Sequence, residues 1–226
     1  MFMILMIIVS LFVYILGIAT VRYNLFPYPQ LLSLKNSVQV DKSKKYLENK
    51  YVKLHEIYAT QSADIVMLGD SLTSNVNWSE LFDRPIINRG VGGDVTDGYL
   101  HRMSFIYKLK PKKVFMNGGT NDFVAGYSVE QVLENYKLII KNLQDHEIKP
   151  YMQSVVYTSF DEINNKITQI NLLLQQYCND NNIVYIDLNK GLAKDKKLID
   201  KYTIDGSHLN ARGYEVWKNE IKDYIF

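Results

Sequence analysis

The chain has 226 residues, with 26 Lys+Arg against 24 Asp+Glu, a formal net charge of +2 and 47% hydrophobic residues. That length suits one domain of ordinary size, and the mix of charged and apolar residues excludes a disordered chain. Its 12 glycines and 5 prolines exclude a collagen-like or low-complexity chain, and its single cysteine excludes a disulfide framework or a multi-thiolate zinc site. Near-neutral charge gives no reason to expect nucleic acid as a partner.

The apolar residues are concentrated at the start. Residues 1–21 carry no charged side chain, and 18 of those 21 are apolar. A helix over this stretch would rise roughly 30 Å, the thickness of a bilayer hydrocarbon core. A buried core helix would show a polar stripe, and there is none. A signal peptide could be cleaved at the small residues of Gly17-Ile18-Ala19, but the run exceeds the usual signal core and no Lys or Arg precedes it. The expectation is an N-terminal transmembrane helix over residues 1–22, an uncleaved single-pass anchor or signal that meets the lipid bilayer through residues 1–21. Arg22, Lys35, Lys42, Lys44 and Lys45 follow the span. The positive-inside rule would keep the domain cytoplasmic, whereas long domains translocate largely regardless of such charges. The expected side is extracytoplasmic, and the charges leave the cytoplasmic side open.

Residues 23–40, with Pro27 and Pro29, read as a juxtamembrane linker. Residues 41–62 read as a packing helix capped by Asp41, with Tyr46, Tyr51, Leu54, Ile57 and Tyr58 on one face.

From residue 63 to 226 two periods alternate. Short apolar runs at Ala63–Leu68, Ile86–Asn88, Lys113–Asn117, Tyr151–Tyr157 and Ile183–Leu188 read as strands. Between them Val95–Leu109 has a helical pattern. Ser128 with Gln131 and Ser159 with Glu162 form capping-box pairs that open two further helices, and a last helix runs from about Ala211 to Tyr224. Strands separated by helices need crossover connections, so the expected sheet is parallel with helices on both faces. Such sheets bind ligands at the carboxyl ends of their strands.

Those ends hold suggestive residues. After the first strand comes Gly69-Asp70-Ser71-Leu72-Thr73, where a serine at a strand-to-helix turn can stand exposed above the sheet. The G-x-S-x-G elbow is absent because position 73 is Thr, and alone the segment reads as a plain turn with a helix cap. After the second strand comes Asn88-Arg89-Gly90-Val91-Gly92-Gly93-Asp94, which fits neither G-x-G-x-x-G nor a P-loop. After the third comes Gly118-Gly119-Thr120-Asn121-Asp122, which can turn an amide over the same rim. Near the C-terminus, Asp205-Gly206-Ser207-His208 puts a carboxylate three residues before a histidine, in reach of its Nδ1–H.

In this order the four segments resemble the SGNH hydrolase superfamily, the GDSL-type esterases. The match runs through Ile65–Leu72, Asn88–Asp94, Gly118–Asp122 and Asp205–His208, from about Ala63 to the C-terminus. The resemblance implies a flavodoxin-like three-layer α/β/α sandwich with a five-stranded parallel sheet in the order 2-1-3-4-5. It also implies catalytic Ser71, Asp205 and His208, with an oxyanion hole from Ser71, Gly93 and Asn121. The implied activity is ester hydrolysis through an acyl-enzyme, without metal or cofactor. The compact domain favours short acyl groups, such as O-acetyl esters of carbohydrate or cell-envelope material. Alternatives on the same groups are a lysophospholipase, a thioesterase or an acyltransferase; a non-catalytic glycan-binding module is the alternative of another class.

Other residues read more simply. His55, His101 and His146 read as surface or helix-end histidines and Cys178 as a buried small hydrophobe. Lys190, Lys194, Lys196, Lys197 and Lys201 read as a solvated surface, with an electrostatic lure for an anionic substrate as the second reading.

Overall fold

The computed structural model describes residues 50–58 and 62–226. The expected span over 1–22, the linker over 23–40 and residues 41–49 of the packing helix lie outside them. Among the described residues, no helix is long and apolar enough to cross a membrane.

Five strands form one parallel sheet: β1 (Ile65–Gly69), β2 (Ile87–Gly90), β3 (Lys113–Met116), β4 (Lys149–Gln153) and β5 (Val184–Ile186). Their order is β2-β1-β3-β4-β5, as the resemblance to the SGNH hydrolases implies. Alternation along β1 divides the core. Val66 and Leu68 face a layer that includes Tyr99, Tyr136, Ile140, Ile167 and Leu174. Ile65 and Met67 face the opposite layer with Phe115, Tyr151, Tyr214 and Trp217. Both faces of β1 are covered, which is why it reads as a continuous apolar run.

In chain order the helices are α1 (Lys50–Ile57), α2 (Ser71–Ser74), α3 (Trp78–Phe82), α4 (Thr96–His101), α5 (Met103–Tyr107), α6 (Thr120–Val124), α7 (Val129–Asp145), α8 (Asp161–Asp180), α9 (Asn189–Leu192) and α10 (Ala211–Ile225). A short hairpin, β6 (Ala193–Lys194) with β7 (Lys197–Leu198), follows α9. The Ser128–Gln131 capping box is present at the start of α7.

Three expectations about the helices differ from the structure. The helix expected over Val95–Leu109 is two helices, because Arg102 ends α4 with φ −110° and ψ 12° and its side chain turns inward. The Ser159 capping box does not form: α8 starts after Phe160, and the Ser159 N–H donates to the Gly206 carbonyl 2.8 Å away. A tertiary bond has replaced the local cap. In α1, Leu54 and Ile57 of the expected face are exposed and Tyr58 is partly so, with Arg89 over its ring; Val52 is buried, and the His55 ring meets Phe105.

Trp217 joins α10 to the sheet. It is fully buried, lies edge-on to Trp78 with ring centroids 5.2 Å apart, and donates its indole N–H to Gln153 Oε1 at 2.7 Å. Gln153 Nε2 has no partner, so this bond is what the buried amide depends on. Trp217→Phe is expected to lower stability by about 1–3 kcal/mol through the orphaned amide, and Trp217→Ala by about 3–5 kcal/mol through the added cavity. Urea unfolding of both variants measures the two increments, and equal losses would contradict the assignment.

Candidate active site

The sheet order places a crevice between the carboxyl ends of β1 and β3, where the chain leaves neighbouring strands in opposite directions. Ser71 begins the helix after β1 and Asn121 lies in the helix after β3. A single helical turn such as α2 cannot hold itself together. Here its groups are satisfied from outside. Asp70 caps it, with Oδ1 accepting the Leu72 N–H at 2.9 Å. Tyr214 donates its hydroxyl to the Leu72 carbonyl at 2.8 Å. The Trp78 indole and the Asn88 amide both donate to the Thr73 carbonyl at 2.9 Å.

Ser71 Oγ lies 3.0 Å from His208 Nε2, and His208 Nδ1 lies 2.7 Å from Asp205 Oδ2. With the ring proton on Nδ1, the carboxylate accepts it and Nε2 is free to accept from the serine hydroxyl. The turn carrying this pair is locked internally. Asp205 Oδ1 accepts the backbone N–H groups of Ser207 at 2.9 Å and His208 at 2.8 Å. The Thr203 hydroxyl donates to the His208 carbonyl at 2.7 Å and accepts the Gly206 N–H at 2.8 Å.

On the other side of Ser71, Asn121 Nδ2 donates to the Asp94 carbonyl at 3.0 Å, which docks the amide against the glycine-rich turn. Gly93 occupies that turn, exposed, with no hydrogen bond from its N–H among the described residues. The turn is fastened below by Arg102, which is fully buried: its Nε meets Asp94 Oδ2 at 2.9 Å, and its Nη groups donate to the Gly69 carbonyl (2.8 Å) and the Arg89 carbonyl. Beside Asn121, Asp122 accepts the Thr96 N–H at 3.0 Å and the Thr96 hydroxyl at 2.5 Å, tying α6 to α4. Gly118, which leads into α6 at φ 140°, has no room for a side chain because a Cβ would strike the Tyr99 hydroxyl.

No motif marks Arg102, Thr96 or Thr203. For Arg102 one signal existed: it sits three residues after Tyr99 and four before Ile106, on the apolar stripe of its segment.

The cleft above these groups has a volume of about 150 Å³ and is lined by Ser71, Asn121, Val124, Phe160, Ile163 and His208 among others; Gly93 stands outside the lining. A larger groove of about 290 Å³ lies at the opposite end of β4 and β5 and holds none of the residues singled out. The remaining candidates are spread elsewhere. His146 stacks on Tyr107, Cys178 is buried, and Lys197 is paired with Asp161 at 2.9 Å. Among the described residues, no group of His, Cys, Asp or Glu is arranged to hold a metal ion.

Residues 67–216 match the profile of the GDSL-like Lipase/Acylhydrolase family. The N-acylneuraminate cytidylyltransferase of Streptococcus agalactiae serotype III (strain NEM316) is 28% identical over 167 residues, covering 73% of this chain and 39% of that protein. The chain thus spans about two fifths of the length of the curated relatives it matches. Among solved structures, a GDSL-like lipase from Bacteroides thetaiotaomicron VPI-5482 superposes with a TM-score of 0.71 at 23% identity, covering 80% of this chain and 97% of that one. An acetyl xylan esterase gives a TM-score of 0.63 at 20% identity over 72% of this chain and 99% of that one.

Burial sets the electrostatics beneath the cleft. It pushes the Asp70 carboxyl up to about 7, with Asp94 and Asp122 adding to the rise, and the Asp122 carboxyl up to about 6. Asp205 is displaced the other way: hydrogen bonds from the His208 backbone and ring and from the Ser207 N–H hold it well below the usual carboxylate range. Burial, with Arg102 and Arg89 nearby, lowers His55 to about 3. A carboxyl whose folded value lies above its unfolded one stabilises the fold at low pH and loses that contribution as pH rises through the folded value. Asp70 and Asp122 act in this sense. The Asp205 contribution is lost only in acid, and that of His55 only as pH falls below its ordinary 6.5. Stability is therefore expected to fall between about pH 6.5 and about pH 8.5. Asp70→Asn keeps the acceptor for the Leu72 N–H and removes the charge, so it should flatten that slope. Urea midpoints at the two pH values measure it, and an unchanged slope would count against the buried-carboxylate origin.

Proposed function

The chain belongs to the GDSL-like Lipase/Acylhydrolase family, and from that premise we propose that it is a serine esterase acting on short-acyl esters, above all O-acetyl esters of carbohydrate or cell-envelope material. The observation that carries this reading is the unbroken line Asp205–His208–Ser71, with contacts of 2.7 and 3.0 Å, opening into the cleft.

The chemistry follows from the placement of protons. Ser71 Oγ attacks the ester carbonyl while its proton passes to His208 Nε2, and Asp205 stabilises the imidazolium. The tetrahedral oxyanion is held by the backbone N–H groups of Ser71 and Gly93 and by Asn121 Nδ2. Collapse breaks the bond to the alcohol oxygen, which leaves with the proton from His208. Water then attacks the acyl-enzyme by the same route and releases the acid, restoring the Ser71 hydroxyl.

Cleft size supports a short acyl group: about 150 Å³ is the volume of a cavity that takes a molecule such as benzene. The carbohydrate reading draws support from an acetyl xylan esterase among the structural neighbours and from relatives named for N-acylneuraminate. The charge-free apolar stretch over residues 1–21 supports placing the enzyme at a membrane.

Ser71→Ala is expected to lower turnover of p-nitrophenyl acetate by more than about 10³-fold and to abolish labelling by an active-serine phosphonate. Asn121→Ala should lose about 10²–10³-fold, while Ser71 should remain open to the label. Full esterase activity in purified Ser71→Ala protein would contradict the assignment. A rate optimum at long acyl chains would replace the short-acyl reading with a lysophospholipase.

A further inference from the structure

Two cleft-lining side chains differ in what they sit beside. Val124 is one helical turn from Asn121, which would hold the carbonyl oxygen. Phe160 lines the same cleft from the loop between β4 and α8. Its ring abuts the turn that carries Asp205 and His208: a Cβ on Gly206, which has φ 88°, would stand 3.4 Å from Phe160 Cζ. The same loop is bonded to that turn through the Ser159 N–H and the Gly206 carbonyl at 2.8 Å.

Phe160 is 52% exposed, yet its backbone is fixed. Its N–H donates to the Thr158 hydroxyl at 3.0 Å, and Thr158 is in turn held on both sides by the Asn164 amide, at 2.9 and 2.8 Å. Asn164 and Thr158 are both buried. An aromatic ring held half in water at the mouth of a cleft is a preorganised apolar surface, favourable to cover and costing little entropy to use.

His208 must protonate the leaving oxygen, so the alcohol part of the ester leaves on the His208 side. Resting on the esterase reading above, we infer that Phe160 is the specificity-determining platform for that alcohol part, and that it selects a ring-shaped alcohol, a sugar ring lying with its C–H face on the aromatic face. The acyl group, on the other side of the carbonyl carbon from the leaving oxygen, does not touch it.

Kinetics of Phe160→Ala test this, because acyl and alcohol can be varied separately. Three acetates share one acetyl-enzyme and differ in the alcohol alone: ethyl acetate, p-nitrophenyl acetate and methyl 6-O-acetyl-glucopyranoside. The substitution should lower kcat/KM for the two ring alcohols by about 10-fold and leave ethyl acetate within about twofold. The ratio of p-nitrophenyl acetate to p-nitrophenyl butyrate should not move, and Phe160→Tyr should restore the ring alcohols. An altered acetate-to-butyrate ratio with no change among the alcohols would overturn the inference while leaving the esterase reading standing, as would equal losses on all three acetates. If the unaltered protein neither turns over any of these esters nor takes a phosphonate on Ser71, the esterase reading falls and this inference with it.

Discussion

A guanidinium buried without water must be surrounded by acceptors, and the way Arg102 meets that demand organises everything above it. Its partners are the Gly69 carbonyl at the end of β1, the Arg89 carbonyl in β2 and the Asp94 carboxylate in the glycine-rich turn. Two of these lead directly into the cleft: Gly69 precedes Asp70 and Ser71, and the Asp94 carbonyl receives the Asn121 amide. One fully buried side chain thus fixes the strand that leads to Ser71 and the turn beside it relative to each other. The cost appears in the chain path, where the helical segment after the turn breaks at Arg102 to deliver it inward.

The two halves of the cleft are held by different physics. Under Ser71 and Asn121 the groups are buried, so hydrogen bonds there are strong and ionisation is expensive, and the raised carboxyls of Asp70 and Asp122 express that expense. The His208 turn is half exposed, and its order comes from short-range closure: Asp205 accepts from its own loop and Thr203 clasps both ends. A rigid floor with a locally locked wall suits the acyl transfer proposed above, in which nucleophile and oxyanion donors would stay fixed while the imidazole moves one proton between two oxygens.

Much of this was legible in the sequence, and the reasons are specific. The strands were visible because a sheet covered on both faces needs unbroken apolar runs such as Ile65–Leu68. Ser128 with Gln131 was visible because a capping box is closed within four residues. Ser71, Asn121, Asp205 and His208 sit on turns at strand ends or three residues from a partner, a modest signal for each alone, and stood out through the order of the four segments that resembles the SGNH hydrolases. Contacts distant in sequence escaped. Ser159 has the local pattern of a cap but is claimed by Gly206, and the 95–109 segment keeps its helical period across the break at Arg102. The support of α2 by Tyr214 comes from 142 residues further along the chain, which no local pattern can show.

The most direct measurement of whether this network assembles one reaction centre is the crystal structure of the protein after reaction with an active-serine phosphonate. The phosphorus should be bonded to Ser71 Oγ, with its oxygen about 2.7–3.1 Å from the Ser71 N–H, the Gly93 N–H and Asn121 Nδ2, and with His208 Nε2 facing the leaving-group position. An adduct on another residue, or a phosphoryl oxygen turned toward His208 and away from Asn121, would contradict it.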